Sequence, residues 1–216
     1  MAELDEKKRK ITVKCVYYGP ALSGKTTNLM QLHDLLNPSR CNELMTFETK
    51  GDRTLFFDLL PVLLTSESGI RIIIKLFTVP GQVAHDATRK AVLSRADAVV
   101  FVADSQRSQA MSNFESFDNL EKNAARVGID FENLPLVIQF NKRDLEDILD
   151  KKEIIQRWGP TKIPITFSSA LHSLGVKETF ESILRLTYRR LNLLCRLEEK
   201  YRITEKDFLR IALRSG

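Results

Sequence analysis

Stretches of apolar residues with two different periodicities follow one another along the chain. Alternation through 11–17 predicts a strand, and apolar residues at helical spacing through 29–36 predict the helix that comes next. Later, the runs ADAVVFVAD, LPLVIQFN and IPITFSS are each followed by a segment with helical periodicity. Strands that are apolar throughout are typical of a parallel sheet covered by helices on both faces. The pattern therefore predicts an α/β domain.

Two neighbouring apolar runs depart from this strand-then-helix order. LFFDLLPVLLT and IRIIIKLFTV are joined by SESG at 66–69, which is typical of a short hairpin connection. We therefore expect an antiparallel pair at one edge of the sheet. Pro61 would belong to the edge strand, because proline has no N–H to donate within a central one.

The last residues of the chain carry a helical pattern of their own. Thr204 is a suitable N-cap for TEKDFLRIALRSG, in which an apolar stripe is formed by Phe208, Leu209, Ala212 and Leu213. We expect a short helix there, either packed on the domain or kept for a partner. At 216 residues and 43% hydrophobic, the chain suffices for one domain with a full core. The expected organisation is one domain over 1–202, with a short basic leader, and an extension over 203–216.

Composition and sequence features indicate the cellular compartment in which this domain is expected. The three cysteines (Cys15, Cys41 and Cys195) show no CxxC spacing, no signal peptide is recognisable and no apolar run reaches 18 residues. Residue 2 is alanine and Cys195 lies too far from the C-terminus for prenylation, so no lipid anchor is expected. These features favour a cytoplasmic protein, which we expect to be a monomer.

The net charge of +5 indicates which classes of partner the protein could bind. Such a surface is compatible with an acidic partner or with peripheral association with an anionic membrane. The alternative is a solvated helix face, since the basic residues of the C-terminal region alternate with acidic ones. No aromatic residues interleave with the basic ones, so nucleic acid is not an expected partner.

The stretch GPALSGKTT matches GxxxxGK[ST] between the first strand and the first helix, the context in which this motif cradles phosphates. Gly19 and Gly24 would let successive N–H groups face the phosphates, and the helix N-terminus adds its dipole. Lys25 would reach the β and γ phosphates, and Thr26 would coordinate Mg²⁺. The candidate nucleotide-binding residues of this loop are Gly19, Ala21, Leu22, Ser23, Gly24, Lys25, Thr26 and Thr27.

A second motif, NKRD at 141–144, comes directly after an apolar strand, where open α/β sheets bind their ligands. Asp144 could accept two hydrogen bonds from guanine that adenine cannot supply. Asn141 would tie this base loop to the phosphate loop, and the stem of Lys142 would lie over the purine. A Ser-Ala element after the next strand would direct a backbone N–H to the guanine oxygen; its candidate residues are Ser169, Ala170 and Leu171.

These motifs resemble those of Ras-like small GTPases, and three longer stretches resemble the MglA group of bacterial members: VYYGPALSGKTTNL, DRTLFFDLLP and FTVPGQVAHDATRK. The resemblance covers about residues 11–190. It implies a six-stranded, mostly parallel sheet with one antiparallel edge strand and helices on both faces. It also implies GTP or GDP and Mg²⁺ as ligands, and a polarity switch for gliding or pilus-driven motility that is found at a cell pole when GTP-bound. The expected partners are motility effectors and MglB, a homodimeric roadblock-type activator.

The resemblance also implies roles for residues outside the first two motifs. Gln82 would orient the attacking water, and the Gly81 N–H would sense the γ phosphate. Thr54 would bind Mg²⁺ in the GTP state, and Arg53 would act as an arginine finger within the same chain. The alternative for Arg53 is a solvated loop cation. Thr78 stands where most Ras-type switches carry an aspartate, but TVPG is the form of the MglA group.

Ala21 departs from the MglA group, in which this position is ordinarily glycine. A methyl group here would crowd the path of Gln82 and, if φ is positive, would add backbone strain. The sequence therefore predicts a GTPase that turns over slowly without an activating partner. The alternative is a pseudo-GTPase scaffold that holds GTP with little turnover. An ATP-dependent enzyme is disfavoured by NKRD.

Overall fold

The computed structural model describes residues 3–5, 8–36, 43, 45–48, 56–66, 69–81 and 86–213. The strands are β1 (Glu3–Asp5), β2 (Lys10–Tyr18), β3 (Met45–Glu48), β4 (Phe56–Thr65), β5 (Arg71–Thr78), β6 (Ala98–Asp104), β7 (Leu136–Asn141) and β8 (Ile165–Phe167). The helices are α1 (Lys25–Leu35), α2 (Asp86–Leu93), α3 (Ala110–Arg126), α4 (Lys151–Trp158), α5 (Val176–Cys195), α6 (Leu197–Tyr201) and α7 (Glu205–Leu213).

All these strands join one sheet in the order β3-β4-β5-β2-β6-β7-β8, with β1 paired to β2. The predicted six-stranded arrangement is confirmed as β4-β5-β2-β6-β7-β8, in which β4 and β5 are antiparallel and the other pairs are parallel. Pro61 lies beyond the β3 pairing, where β5 is the only described neighbour of β4. Its missing N–H therefore costs no ladder hydrogen bond.

Two short strands were not predicted. β1 pairs antiparallel with the start of β2, and β3 pairs antiparallel with β4. Each has only three or four residues, too few to show an alternation of their own. Neighbouring strands supply their hydrogen-bond partners, so tertiary structure rather than local pattern makes them strands.

The two faces of the sheet carry separate hydrophobic cores, as the alternation in β2 requires. Val13 faces a core that includes Leu29 of α1 and Phe180 of α5. Val16 faces the opposite core, with Leu93 of α2 and Leu120 of α3. Helices therefore cover both faces of the sheet. This arrangement brings the carboxyl ends of β2, β6 and β7 to one edge of the domain.

The C-terminal helix α7 is packed on the domain. Phe208 is 0% exposed and lies in the same core as Phe180. The Tyr188 hydroxyl donates a 2.8 Å hydrogen bond to the Ile203 carbonyl, just before the helix, and Thr204 accepts one from the Asp207 N–H as a cap. Of the two alternatives for this segment, the structure places the apolar stripe inside the fold. No helix within the described ranges has the length and apolar character needed to span a bilayer.

Candidate functional site

The phosphate loop runs from the end of β2 to the start of α1, and two of its glycines are sterically required. Gly19 has φ +147° and Gly24 has φ +95°, in the region that L side chains rarely adopt. A Cβ on Gly19 would lie 2.2 Å from the Val102 carbonyl oxygen, and one on Gly24 would lie 2.3 Å from Nδ2 of Asn141. Neither position has room for a side chain, so the loop fits closely against β6 and β7.

The start of α1 suits an anion. Gly24 is the N-cap and offers no capping side chain, and the first turn carries no acidic residue. The N–H groups of the first turn and the positive end of the helix dipole therefore suit an external anion such as phosphate. Lys25 is buried, and its Nζ donates to the carbonyl oxygens of Pro20 at 2.6 Å and Gly19 at 3.2 Å. Its charge is held inside the loop, where phosphate would lie.

Asn141, at the end of β7, joins three parts of the site. Its Nδ2 donates to the Ser23 carbonyl at 2.9 Å, in the phosphate loop. Its Oδ1 accepts from the Ser168 hydroxyl at 3.0 Å and from the Ala170 N–H at 2.8 Å, in the loop after β8. The side chain is buried. The phosphate loop, the NKRD segment and the Ser-Ala element are therefore held together by one amide group.

Asp144 is the exposed acid of the base loop. The Ser169 hydroxyl donates a 2.5 Å hydrogen bond to its Oδ1, and this bond lowers the pKa of Asp144 below its ordinary value. The carboxylate is therefore ionised at neutral pH and keeps acceptor capacity for a base. Leu171, the third candidate of the Ser-Ala element, has an exposed side chain.

Lys142 is anchored by a residue to which the sequence reading gave no role. Its φ is +65°, and its Nζ donates at 2.6 Å to Oδ2 of Asp104, a buried carboxylate at the end of β6. Asp104 in turn accepts from the Gln106 N–H at 2.9 Å. The available signal was an acid at the end of an otherwise apolar strand, VFVAD. Asp104 therefore fixes the tip of the Lys142 side chain.

Gly81, at the end of the segment after β5, lies directly against Ala21. A Cβ on Gly81 would lie 2.2 Å from the Ala21 Cα and 2.7 Å from its nitrogen. Ala21 is not among the residues with positive φ, whereas the next residue, Leu22, has φ +60° and a side chain that is 88% exposed. The backbone-strain argument against Ala21 therefore does not apply. What remains is the steric one, because the methyl group sits where Gly81 meets the phosphate loop.

The other predicted catalytic and metal residues are only partly described. Gln82, Arg53 and Thr54 lie outside the described residues. Thr78 is buried at the end of β5, and Thr26 is exposed in the first turn of α1. Within the described ranges, no group of three or more His, Cys, Asp or Glu side chains is placed to hold a metal ion. The Thr26 hydroxyl is an oxygen donor of the kind that Mg²⁺ prefers, and this ion usually keeps phosphate and water among its other ligands.

Comparison with known sequences assigns the chain to a family. No protein-family model matches this sequence. It is 41% identical over 186 residues to the mutual gliding-motility protein MglA of Myxococcus xanthus (strain DK1622), a match that covers 86% of this chain and 95% of that protein. The chain belongs to the MglA family of small GTPases. The resemblance inferred from the motifs is thereby confirmed.

In this member of the MglA family, a buried arginine fastens α2 beside the phosphate loop. Arg89 is 0% exposed. Its Nε donates to the Tyr18 hydroxyl at 3.0 Å, its Nη2 donates to the Ser116 hydroxyl at 2.9 Å, and the guanidinium lies 4.4 Å from the centre of the Tyr18 ring. Tyr18 immediately precedes Gly19. The helix that follows Gln82 along the chain is thus tied to the strand that carries the phosphate loop.

Further polar contacts extend this connection to α3. The Tyr18 hydroxyl donates to Oδ1 of Asn119 at 2.6 Å, and Asn123 Nδ2 donates to Oδ1 of Asp86 at 2.7 Å. Asn123 also lowers the pKa of Asp86 through this bond. The sequence did not predict this network, because the asparagines that contact Asp86 lie more than thirty residues away along the chain. In the MglA fold, α2 is therefore placed by polar as well as apolar packing.

Proposed function

We propose that this protein is a guanine-nucleotide switch that hydrolyses GTP slowly to GDP and acts in gliding motility or cell polarity through partners that bind its GTP form. The observation that carries the proposal is the set of three hydrogen bonds made by Asn141. They hold a phosphate-binding loop and a base-reading loop at a fixed separation, which is what recognition of one nucleotide by both loops requires. The likeness to a gliding-motility protein supports the cellular role.

Each loop has a distinct task in nucleotide binding. The backbone of 19–27 and the start of α1 receive the phosphates, and Lys25 exchanges its carbonyl partners for β and γ phosphate oxygens. Asp144 accepts two hydrogen bonds from guanine, while Ser169 orients the carboxylate. Bound Mg²⁺, held through Thr26 and by Thr54 in the GTP state, supplies positive charge that screens the phosphates.

Hydrolysis requires a water molecule in line with the γ phosphorus and stabilisation of the charge that builds on its oxygens. Gln82 orients the water, the Gly81 N–H contacts the γ phosphate, and Arg53 supplies the cation. These roles follow from the match of VPGQ and DRT to the family motifs. An MglB-type activator would accelerate the reaction by placing Arg53, with no need to insert an arginine of its own.

One observation favours a second candidate function, a scaffold that holds GTP with little turnover. The contact of Ala21 with Gly81 puts a methyl group beside the residue that precedes Gln82. A steric penalty of about one to two kcal/mol would slow the chemical step roughly 5-fold to 30-fold. An arginine finger contributes about 10³ to 10⁵ in rate, so a correctly placed Arg53 would outweigh this penalty.

Single-turnover hydrolysis of GTP, with and without an MglB-type partner, separates the two candidates. We expect slow basal turnover that the partner accelerates, a several-fold faster basal rate in Ala21→Gly, and loss of most of the acceleration in Arg53→Ala. Binding of a fluorescent GDP analogue should be unchanged in both variants. The switch proposal fails if the wild type shows no partner-stimulated turnover, and the assigned mechanism fails if Ala21→Gly is unchanged while Arg53→Ala responds fully.

A further inference from the structure

Two grooves flank the C-terminal end of α5, away from the phosphate and base loops. One has a volume of about 810 Å³ and is lined by Lys14, Lys75, Arg95 and Arg190, together with Leu194. The other has a volume of about 930 Å³ and is lined by Lys162, Arg190 and Leu193. Since Arg190 borders both, they form one continuous surface, which we call the basal surface. It includes Asp97, Pro135 and Pro164, which immediately precede β6, β7 and β8, whereas the nucleotide loops follow the ends of strands.

Two large apolar side chains project from the basal surface. Leu193 is 85% exposed and Leu194 is 57% exposed, and they follow one another at the end of α5. Single exposed apolar residues are normal in soluble proteins, but adjacent leucines at a helix end among cations are typical of surfaces that bind an apolar and anionic partner. The buried residues of α5, such as Leu191, already supply its contacts with the core. Leu193 and Leu194 are therefore not needed for that packing.

The cations of the basal surface differ from those of the C-terminal region in how they are paired. Arg185, Arg189 and Arg210 form ion pairs with Glu205 or Asp207. By contrast, Lys75, Arg95 and Lys162 are exposed and form no ion pair with any carboxylate of the described residues. Acidic residues therefore neutralise the cations of the C-terminal region. The positive charge of the basal surface is not compensated in this way.

Acidic residues at the grooves do not balance this charge. The two grooves are lined by five cations and by the acids Asp97, Asp130 and Glu132. Five cations against three acids leave an excess of two positive charges at the grooves, which favours an anionic partner.

We propose that the basal surface docks the protein on a bilayer containing anionic phospholipid. Leu193 and Leu194 enter the interface between headgroups and acyl chains, and Lys75, Arg95, Lys162 and Arg190 face the phosphates. A lipid surface satisfies both features at once, because it offers hydrocarbon for the leucines directly below a layer of negative charge. Docking in this orientation turns the nucleotide loops away from the membrane, so nucleotide and protein partners can bind while the protein is attached.

Co-sedimentation with vesicles tests the proposal. The GDP-loaded protein is mixed with vesicles of phosphatidylcholine alone or with about 30% phosphatidylglycerol. We expect sedimentation only with the anionic vesicles, and its loss near 0.5 M salt, where the Debye length falls to roughly a few ångströms. If the protein stays in the supernatant with both compositions, or binds both equally, the proposal is wrong. An acidic protein would then be the better candidate for this surface.

Matched variants locate the contact. Lys75→Glu/Arg95→Glu should reduce the partition coefficient at least 25-fold, from about fivefold for each cation removed. Lys152→Glu/Lys206→Glu changes the net charge equally at exposed sites elsewhere and should retain most of the binding. Leu193→Ser/Leu194→Ser should weaken binding in a salt-independent way. Binding of a fluorescent GDP analogue and the melting temperature report whether each variant is folded. Equal loss in both charge-reversal variants would overturn the assignment to the basal surface.

Discussion

Replacement of Asn141 by alanine removes the group that joins the phosphate loop to the base loop. It deletes hydrogen bonds to the Ser23 carbonyl, the Ser168 hydroxyl and the Ala170 N–H, at 2.9, 3.0 and 2.8 Å. A hydrogen bond contributes a net stability of about 1 kcal/mol, and a buried polar group left unpaired costs about 1–3 kcal/mol. Since Ser168 and Ala170 are buried, we expect Asn141→Ala to lower the free energy of unfolding by about 3–5 kcal/mol.

The assay is urea unfolding of the nucleotide-free protein, followed by the dissociation rate of a fluorescent GDP analogue. Asn133→Ala is the matched control, because its side chain also donates a 2.8 Å hydrogen bond, to Asp130, but at an exposed site. It should change stability by no more than about 0.5 kcal/mol. GDP should leave Asn141→Ala at least roughly tenfold faster, which corresponds to a loss of about 1.4 kcal/mol.

Asn141→Asp separates the two halves of the amide. It keeps an oxygen to accept from Ala170 and Ser168 but turns the donor that faces the Ser23 carbonyl into an oxygen. We expect a loss of stability comparable to that in Asn141→Ala, because two acceptors would then face each other. If Asn141→Ala unfolds within about 1 kcal/mol of the wild type and releases GDP at the same rate, the connection between the two loops has no energetic role.

Four further variants test separate parts of the structure. Asp144→Asn should shift preference from guanine to xanthine nucleotides in competition binding, and retained GTP preference would refute the base assignment. Phe208→Ala should cost about 3–5 kcal/mol in urea unfolding, since the ring is fully buried; a small loss would show that α7 is not part of the core. Tyr18→Phe should cost about 1–3 kcal/mol by leaving Arg89 without an acceptor for its Nε, and a neutral effect would contradict the role of that network. The depressed pKa of Asp86 stabilises the fold fully above its unfolded value of about 3.9 and less as pH falls through the folded value, so the stability deficit of Asp86→Asn should be constant above about pH 5 and shrink below about pH 4.

The sequence predicted those features of the fold that depend on local residue patterns. Continuous apolar strands specify a buried parallel sheet, and the spacing of GPALSGKTT and NKRD places both loops at the same sheet edge. The likeness to MglA agrees with that reading. These features depend on residues close together in sequence, or on strand order that follows from general rules of α/β folds.

The sequence did not predict contacts between residues that are far apart in the chain. The pairing of Asp104 with Lys142 and the burial of Arg89 depend on how separate elements meet, and an arginine in an amphipathic helix is ordinarily expected at the surface. The conformation of Ala21 could not be read from its identity either, since alanine is compatible with most of backbone space and only the fold decides φ.

The contact between Gly24 and Asn141 limits how this sequence can diverge. Any side chain at Gly24 would occupy the volume of the Asn141 amide, so Gly24 cannot change while Asn141 is kept. Because the contact involves protein atoms alone, selection for a stable fold would preserve both residues even in a lineage that had stopped turning over its nucleotide. Intact phosphate-loop and NKRD motifs therefore indicate a folded nucleotide-binding protein, whether or not it still hydrolyses its nucleotide. Substitutions that abolish catalysis are expected first at positions that the fold does not constrain.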